Sequence, residues 1–185
     1  MGNFIFEEQK IRGLYVVEPR VFGDERGYFM ETYHQQDFLA AGIKESFVQH
    51  NQSMSVRNVL RGLHFQTKHP QGKLVRALQG EIFDVAVDLR SESATYGQWY
   101  GTVISDENKK MLYVPAGFAH GYLVLSEKAV FSYLCTDFYH PEEEGGVMWN
   151  DPYIGVEWPL EKGIQPILSE KDKKYPSFDD NRIAF

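Results

Sequence analysis

The 185-residue chain has a single cysteine, Cys135, so it can form no internal disulfide and must hold its fold without covalent staples. It also lacks long hydrophobic runs. The longest, such as residues 121–125, have the length of strands, far below the roughly 20 residues that cross a bilayer. No membrane residence is expected. The opening MGNFIFEEQK has none of the charged, apolar and small-residue regions of a secretory signal, which makes the cytoplasm the expected compartment. Low-complexity tracts, linkers and internal repeats are absent, so residues 1–185 read as one domain. Basic residues are outnumbered, 19 against 26 acidic ones, for a net charge of -7. A nucleic-acid surface needs a broad basic footprint to neutralise phosphates, so no nucleic-acid partner is expected.

The charge is unevenly spread. Between Glu45 and Glu81 there is no carboxylate, while Arg57, Arg61, Lys68, Lys73 and Arg76 fall there with His50, His64 and His69. Two readings stay open: a pocket focused on a small anion such as a diphosphate, or a chance gap on a solvated face.

Short runs of aromatic and β-branched residues, broken by Gly, Pro and Asn/Asp/Ser turns, predict an all-β fold, a sandwich or small barrel. In Glu81 to Leu89, alternation puts Phe83, Val85, Val87 and Leu89 on one face and Asp84 and Asp88 on the other, as in a half-buried strand. Further strands are expected over 111–114, 121–125 and 129–139. Short peripheral helical pieces are expected at 35–41, ended by Gly42, and at 169–172, with Ser169 as N-cap.

Several residues are candidates for chemistry. Arg61 and His64, three apart, would face opposite sides of a regular strand unless Gly62 introduces a bulge. Tyr133 and Tyr139, an even number of residues apart in one predicted strand, should share a face with Phe131 and Cys135. Each has a bland alternative: a satisfied strand histidine, core tyrosines whose hydroxyls reach the rim, and a small buried cysteine. Pro115-Ala-Gly-Phe-Ala-His120 has the Pro-x-Gly-x-x-His spacing of the second cupin motif. Metal-binding cupins also carry an earlier His-x-His followed by a glutamate. Here that run is His64-Phe-Gln66, and no Glu occurs until Glu81. A cupin barrel without those ligands must work with side chains alone, or not be an enzyme.

The blocks Phe22-Gly-Asp-Glu-Arg-Gly-Tyr-Phe-Met-Glu31, Arg61-Gly-Leu-His-Phe-Gln66, Gln71-Gly-Lys-Leu-Val-Arg76, Val114-Pro-Ala-Gly-Phe-Ala-His-Gly121, Tyr139-His-Pro-Glu142, Trp149-Asn-Asp-Pro152 and Leu168-Ser-Glu-Lys-Asp172 run through nearly the whole chain. In kind and order they closely resemble the dTDP-4-dehydrorhamnose 3,5-epimerase family. The resemblance implies a cupin-type double-stranded β-helix (jelly-roll barrel), a homodimer, and no metal or other cofactor. It implies inversion of C3 and C5 of dTDP-4-dehydro-6-deoxy-D-glucose, on the route to dTDP-L-rhamnose. By position the family's base falls on His64, its dyad carboxylate on Asp172, its acid on Tyr133 and its base-stacking aromatic on Tyr139. Family contacts to the nucleotide, diphosphate or sugar fall on Arg26, Glu31, Gln49, His50, Asn51, Arg61, Lys73, His120, Glu144 and Lys171. Two positions depart from the pattern: His50 stands where Asp is common, and Leu134 where Lys is commoner, the latter expected on the opposite face from Tyr133.

The chemistry explains why such residues belong together. A keto group at C4 flanks both C3 and C5, so loss of either proton gives an enolate on the same oxygen. A neutral imidazole can take that proton, with Asp172 fixing its tautomer, and Lys73, with Arg61, can stabilise the oxyanion. Inversion needs a proton from the opposite face, a role for a phenol such as Tyr133. Two other classes remain: a metal-dependent cupin using His64 and His120 as ligands, and a non-catalytic sugar-nucleotide binder that has no need of His64, Asp172, Lys73 and Tyr133 together.

Overall fold

A computed structural model describes residues 2–178 and Phe185. Short antiparallel strands dominate it: β1 (Phe4–Glu8), β2 (Tyr15–Pro19), β3 (Val21–Asp24), β4 (Gly27–Met30), β5 (Gln49–Val56), β6 (Leu60–Gln66) and β7 (Lys73–Gln79). Next come β8 (Glu81–Asp88), β9 (Trp99–Ser105), β10 (Met111–Val114), β11 (Phe118–Val124), β12 (Lys128–Cys135) and β13 (Glu144–Gly146). A short helix, α1 (Gln35–Ala40), and 3₁₀ turns at Pro141–Glu143 and Asp172–Lys174 complete the elements. Gly42, at φ +93°, follows α1, and the Ser169 hydroxyl accepts a hydrogen bond from the Asp172 N–H at 3.1 Å.

The strands form a six-stranded sheet in the order β1-β2-β10-β7-β12-β5 and a five-stranded sheet in the order β13-β6-β11-β8-β9, with β3-β4 as a separate hairpin. From β5 to β8, and again from β10 to β12, the chain changes sheet with every strand. That alternation wraps the two sheets into the expected jelly-roll arrangement and leaves one core between them. Val16, Val75, Leu112 and Phe131 of the first sheet meet Ile82, Ala86, Ile104 and Tyr122 of the second. Burying each Val, Leu, Ile or Phe side chain among them contributes about 1.5–3 kcal/mol.

The outer faces are covered in part. Phe38 of α1 packs with Val17, Leu74 and Met111 on the outside of the six-stranded sheet. Val147, Ile154 and Trp158 pack on Val85, Val87 and Leu89 of the other sheet. This corrects the expectation of a half-buried β8. The alternation holds, but both faces are covered, and Asp84 and Asp88 are fully buried. Asp88 is held by Arg90, Ser93 and Thr95, and Asp84 by His120, so the polar face of β8 is an interior one.

The strand expected over 129–139 is also corrected. Pairing of β12 with both neighbours ends at Cys135. Beyond it the Thr136 hydroxyl accepts from the Gly72 N–H at 2.7 Å, and the Asp137 carboxylate accepts from the Phe138 N–H at 2.7 Å. Such side-chain bonds offer the backbone an alternative to the ladder. Tyr139 therefore leaves the strand and is half-exposed, and its period-two relation to Tyr133 is lost.

β6 and β11 meet unusually closely. His64 pairs with His120 and Arg61 with Tyr122, so three steps along β6 answer two along β11, a bulge at Gly62. Gly62 lies at φ +134°, and a Cβ there would stand 2.5 Å from the Cα of Gly121. Gly62→Ala is expected to destabilise the fold by about 3 kcal/mol or more, from backbone strain and a clash with rigid backbone. Urea unfolding monitored by circular dichroism checks this. An unchanged midpoint would mean the two strands can separate without loss.

Candidate active site

The bulge puts two side chains on one face that a regular strand would keep apart. Arg61 and His64 both line a cavity of about 160 Å³ between the sheets, with Ser53, Lys73, His120, Tyr122, Phe131 and Tyr133. Register supplies the opposite wall. Asn51 on β5, Tyr133 on β12 and Val75 on β7 stand in one row, and Gln49, Cys135 and Lys73 in the next row on that same inward face.

His64 donates from Nε2 to the Asp172 carboxylate at 2.5 Å. The Ser169 hydroxyl donates to the other carboxylate oxygen at 2.6 Å. Burial raises the Asp172 carboxyl, but the bonds from His64 and Ser169 outweigh it and leave its pKa below the ordinary value. Asp172 thus stays ionised, and the His64 tautomer with its lone pair on Nδ1 is the one this bond selects. The ring of Tyr175 stands edge-on to His64 at 5.5 Å between centroids. Gly146, which pairs with His64 across β13, makes room for it, because a Cβ there would lie 2.7 Å from the Tyr175 ring.

Three further groups set the cavity's electrostatics. Burial pushes the Tyr133 phenol up to about 12, reinforced by Cys135 and Tyr122 and opposed by Arg61 and Asn51. Burial pulls the Lys73 ammonium below its ordinary value, against the attraction of Cys135, Asp84 and Glu144. Burial raises the Asp84 carboxyl, while His120 and Lys73 lower it. His120 donates from Nε2 to Asp84 at 2.9 Å and stacks on Phe131 at 6.1 Å. Among the described residues no buried side-chain N or O atom lacks a hydrogen-bond partner.

At the rim, Glu144 accepts from three groups: the Tyr139 hydroxyl, the Tyr175 hydroxyl at 3.3 Å and Lys171 at 2.5 Å. Hydrogen bonding to Glu144, with some burial, pushes the Tyr139 phenol up to about 12. Gln49 accepts from the Tyr139 N–H at 2.9 Å and donates to Asn51 at 3.0 Å, tying that rim to β5.

Most residues marked in the sequence therefore converge: His64, Asp172, Lys73, Tyr133, Arg61 and His120 in and against the cavity, and Gln49, Asn51, Tyr139, Glu144 and Lys171 beside them. Three do not. His50 points to the other side of its strand, where its Nε2 meets the Ser132 hydroxyl at 2.7 Å and lines a separate outer pocket. Any effect of its charge is on that face rather than beside His64. Leu134 lines that same outer pocket, as strand alternation required. Arg26 and Glu31 belong to the β3-β4 region away from the cavity lining, with Arg26 paired to Asp24 at 2.5 Å. Reading the sequence missed Asp84, Ser169 and Tyr175. Asp84 carried a signal in its strand alternation that was read inside out, and Tyr175 carried none.

The sequence matches the dTDP-4-dehydrorhamnose 3,5-epimerase family over residues 8–180. The dTDP-4-dehydrorhamnose 3,5-epimerase of Methanothermobacter thermautotrophicus is 52% identical over 183 residues, 99% of each chain. The chain belongs to this family. Two solved structures agree with the fold. The dTDP-4-dehydrorhamnose 3,5-epimerase of Elizabethkingia anophelis superposes with a TM-score of 0.93 at 48% identity, covering 98% of this chain and 100% of that one. The dTDP-6-deoxy-D-glucose-3,5-epimerase of Legionella pneumophila, solved with dTDP-4-keto-L-rhamnose, gives 0.92 at 44% identity, covering 98% and 97%. The fold is thus that of the cupin-type epimerases, and the chain is an isomerase of that family.

The lowered Asp172 pKa has a sign that can be tested. A carboxyl lowered on folding contributes stability that is fully present above its unfolded value, 3.8, and is lost as pH falls through the folded one. Asp172→Asn is expected to lower the melting temperature at pH 7, with the gap to the parent closing as pH drops below about 4. Calorimetric melts across that range check it. A gap independent of pH would remove the hydrogen bonds to the ionised carboxylate as its cause.

Proposed function

We propose that the protein is a cofactor-independent epimerase that inverts C3 and C5 of dTDP-4-dehydro-6-deoxy-D-glucose, giving dTDP-4-dehydro-L-rhamnose for dTDP-L-rhamnose synthesis. The observation that carries this reading is the His64–Asp172 pair opening on the same small cavity as Lys73 and Tyr133.

His64 takes the proton from C3 or C5 through Nδ1, while its Nε2–H stays on Asp172. The ionised carboxylate stabilises the imidazolium that forms. The electron pair from the C–H bond moves to the C4 oxygen. Lys73, with Arg61, is the cation placed to meet that charge in a site poor in water, where such contacts weigh most. Tyr133 returns a proton to the opposite face of the carbon. Its raised pKa keeps it protonated at neutral pH, and Arg61 and Asn51, which lower it, are placed to stabilise the phenolate left behind. Tyr139, Gln49, Asn51, His120, Glu144 and Lys171 hold the nucleotide end and the sugar, so that remote binding energy positions the reacting ring.

Pairing of two copies belongs to the same reading. The outer face around β5, β12 and β7 leaves Met54, Val56 and Leu78 exposed, Leu78 on the lining of an open pocket of about 320 Å³, and β5 is a sheet edge. The β3-β4 hairpin exposes Phe22, Tyr28 and Phe29 beside Arg26. We assign these surfaces to a homodimer in which Arg26 and Glu31 serve the substrate from the partner copy. Sedimentation velocity is expected to show a dimer, shifted to monomer in Met54→Glu/Leu78→Glu. A parent protein that sediments as a monomer sinks this assignment.

Proton NMR in deuterium oxide separates the steps. With the parent protein, deuterium is expected to enter at both C3 and C5. His64→Ala should lose exchange at both by about 10²–10⁴-fold, the range of general-base contributions. Tyr133→Phe should lose inversion while His64 still exchanges protons on its own face. Exchange at one carbon only would make the enzyme a single-centre epimerase, and undiminished inversion in Tyr133→Phe would remove Tyr133 as the acid.

A further inference from the structure

Outside the barrel cavity, His69, His140 and Glu143 form a second cluster whose side chains the proposed reaction does not use. One ligand atom from each lies within 4.8 Å of the other two. The His69 and His140 rings stack at 4.5 Å between centroids, with 24° between their planes. The Glu143 carboxylate, only 9% exposed, accepts from His69 Nδ1 at 2.8 Å and from the His69 N–H at 3.1 Å. His69 is about half-exposed, which leaves a side open to water.

The backbone beneath this cluster is fixed. Buried Gln66 donates from Nε2 to the His69 carbonyl at 2.7 Å and the Phe138 carbonyl at 3.1 Å, and accepts at Oε1 from the His140 N–H at 2.7 Å. The Thr67 N–H adds a bond to the Glu143 carbonyl at 3.0 Å. One amide side chain thus pins both loops, so the two imidazoles and the carboxylate converge before any ion arrives. Two imidazoles and a carboxylate suit Zn²⁺ and its neighbours in the first transition row and give no advantage to Mg²⁺ or Ca²⁺. A tetrahedral ion with bonds of 2.0–2.1 Å holds its ligand atoms about 3.3 Å apart, so binding draws these three atoms, now within 4.8 Å of one another, closer together.

We propose that His69, His140 and Glu143 form a surface site for a divalent transition-metal ion of the Zn²⁺ type, with water completing the coordination. The occupied site ties residues 67–72 to residues 137–143, the segment that carries Tyr139. The site stands apart from the epimerase reading and does not depend on it.

The test is calorimetric titration of Zn²⁺ into the chelator-stripped full chain. One equivalent is expected to bind. His69→Ala and His140→Ala should each weaken binding more than about tenfold, and Glu143→Gln should weaken it too. His64→Ala should leave it unchanged. Zn²⁺ should also slow amide exchange over residues 137–143 in the parent and not in His140→Ala. No Zn²⁺ binding by the parent, or binding unchanged by His69→Ala and His140→Ala but lost in His64→Ala, overturns the proposal. The second outcome would place the ion in the barrel.

Discussion

The site rests on the approach of two backbones. Gly62 on β6 presses against Gly121 on β11, with no room for a Cβ between them, and at that point β6 carries one residue more than its partner. A strand with perfect alternation would send Arg61 and His64 to opposite sides. With the extra residue, both line the cavity, and His64 sits beside the loop that carries Asp172. Nearby placements follow from this one: His120 lies across from His64 on β11, and Gly146 across from it on β13.

Burial then sets the chemistry. The wall facing His64 carries a phenol and an ammonium, and the Asp84 carboxyl lies behind His120 on the sheet of His64 itself, each displaced from its ordinary protonation balance chiefly by loss of water. Desolvation disfavours every charged form, and partners restore charge only where they stand close. Asp172 has His64 and Ser169 within hydrogen-bonding distance and remains a carboxylate. Tyr133 has weaker company and remains a phenol. An imidazole with a fixed tautomer and a phenol that keeps its proton therefore share a cavity at one pH.

The rim is ordered by two polar hubs. Glu144 gathers Tyr139, Tyr175 and Lys171, and Gln66 joins the loop after β6 to the segment after β12. Neither hub lies within the cavity lining, yet each fixes a loop that no sheet ladder holds. Tyr139, carried out of β12 by the bonds of Thr136 and Asp137, owes its place to these contacts and to Gln49.

The sequence by itself determined the all-β class and the strands around 81–89, 111–114 and 121–125, through alternation and turn residues that act over a few positions. It determined the chemical repertoire too, through motif blocks that retain their order along the chain, and it marked Gly62 as a place where a bulge could break regular alternation. Tertiary structure decided which side of a strand was the inside. Asp84 and Asp88 alternate with apolar neighbours just as solvent-facing residues do, and only the packing of the six-stranded sheet against the face that Asp84 shares with Ile82 and Ala86 shows it to be interior. It also decided that His50 turns away from its neighbours Gln49 and Asn51, and that Tyr175 reaches His64 from far along the chain. The physical reason is one of range: local pattern fixes the period of a strand, whereas burial and partnership depend on segments that meet only when the barrel closes.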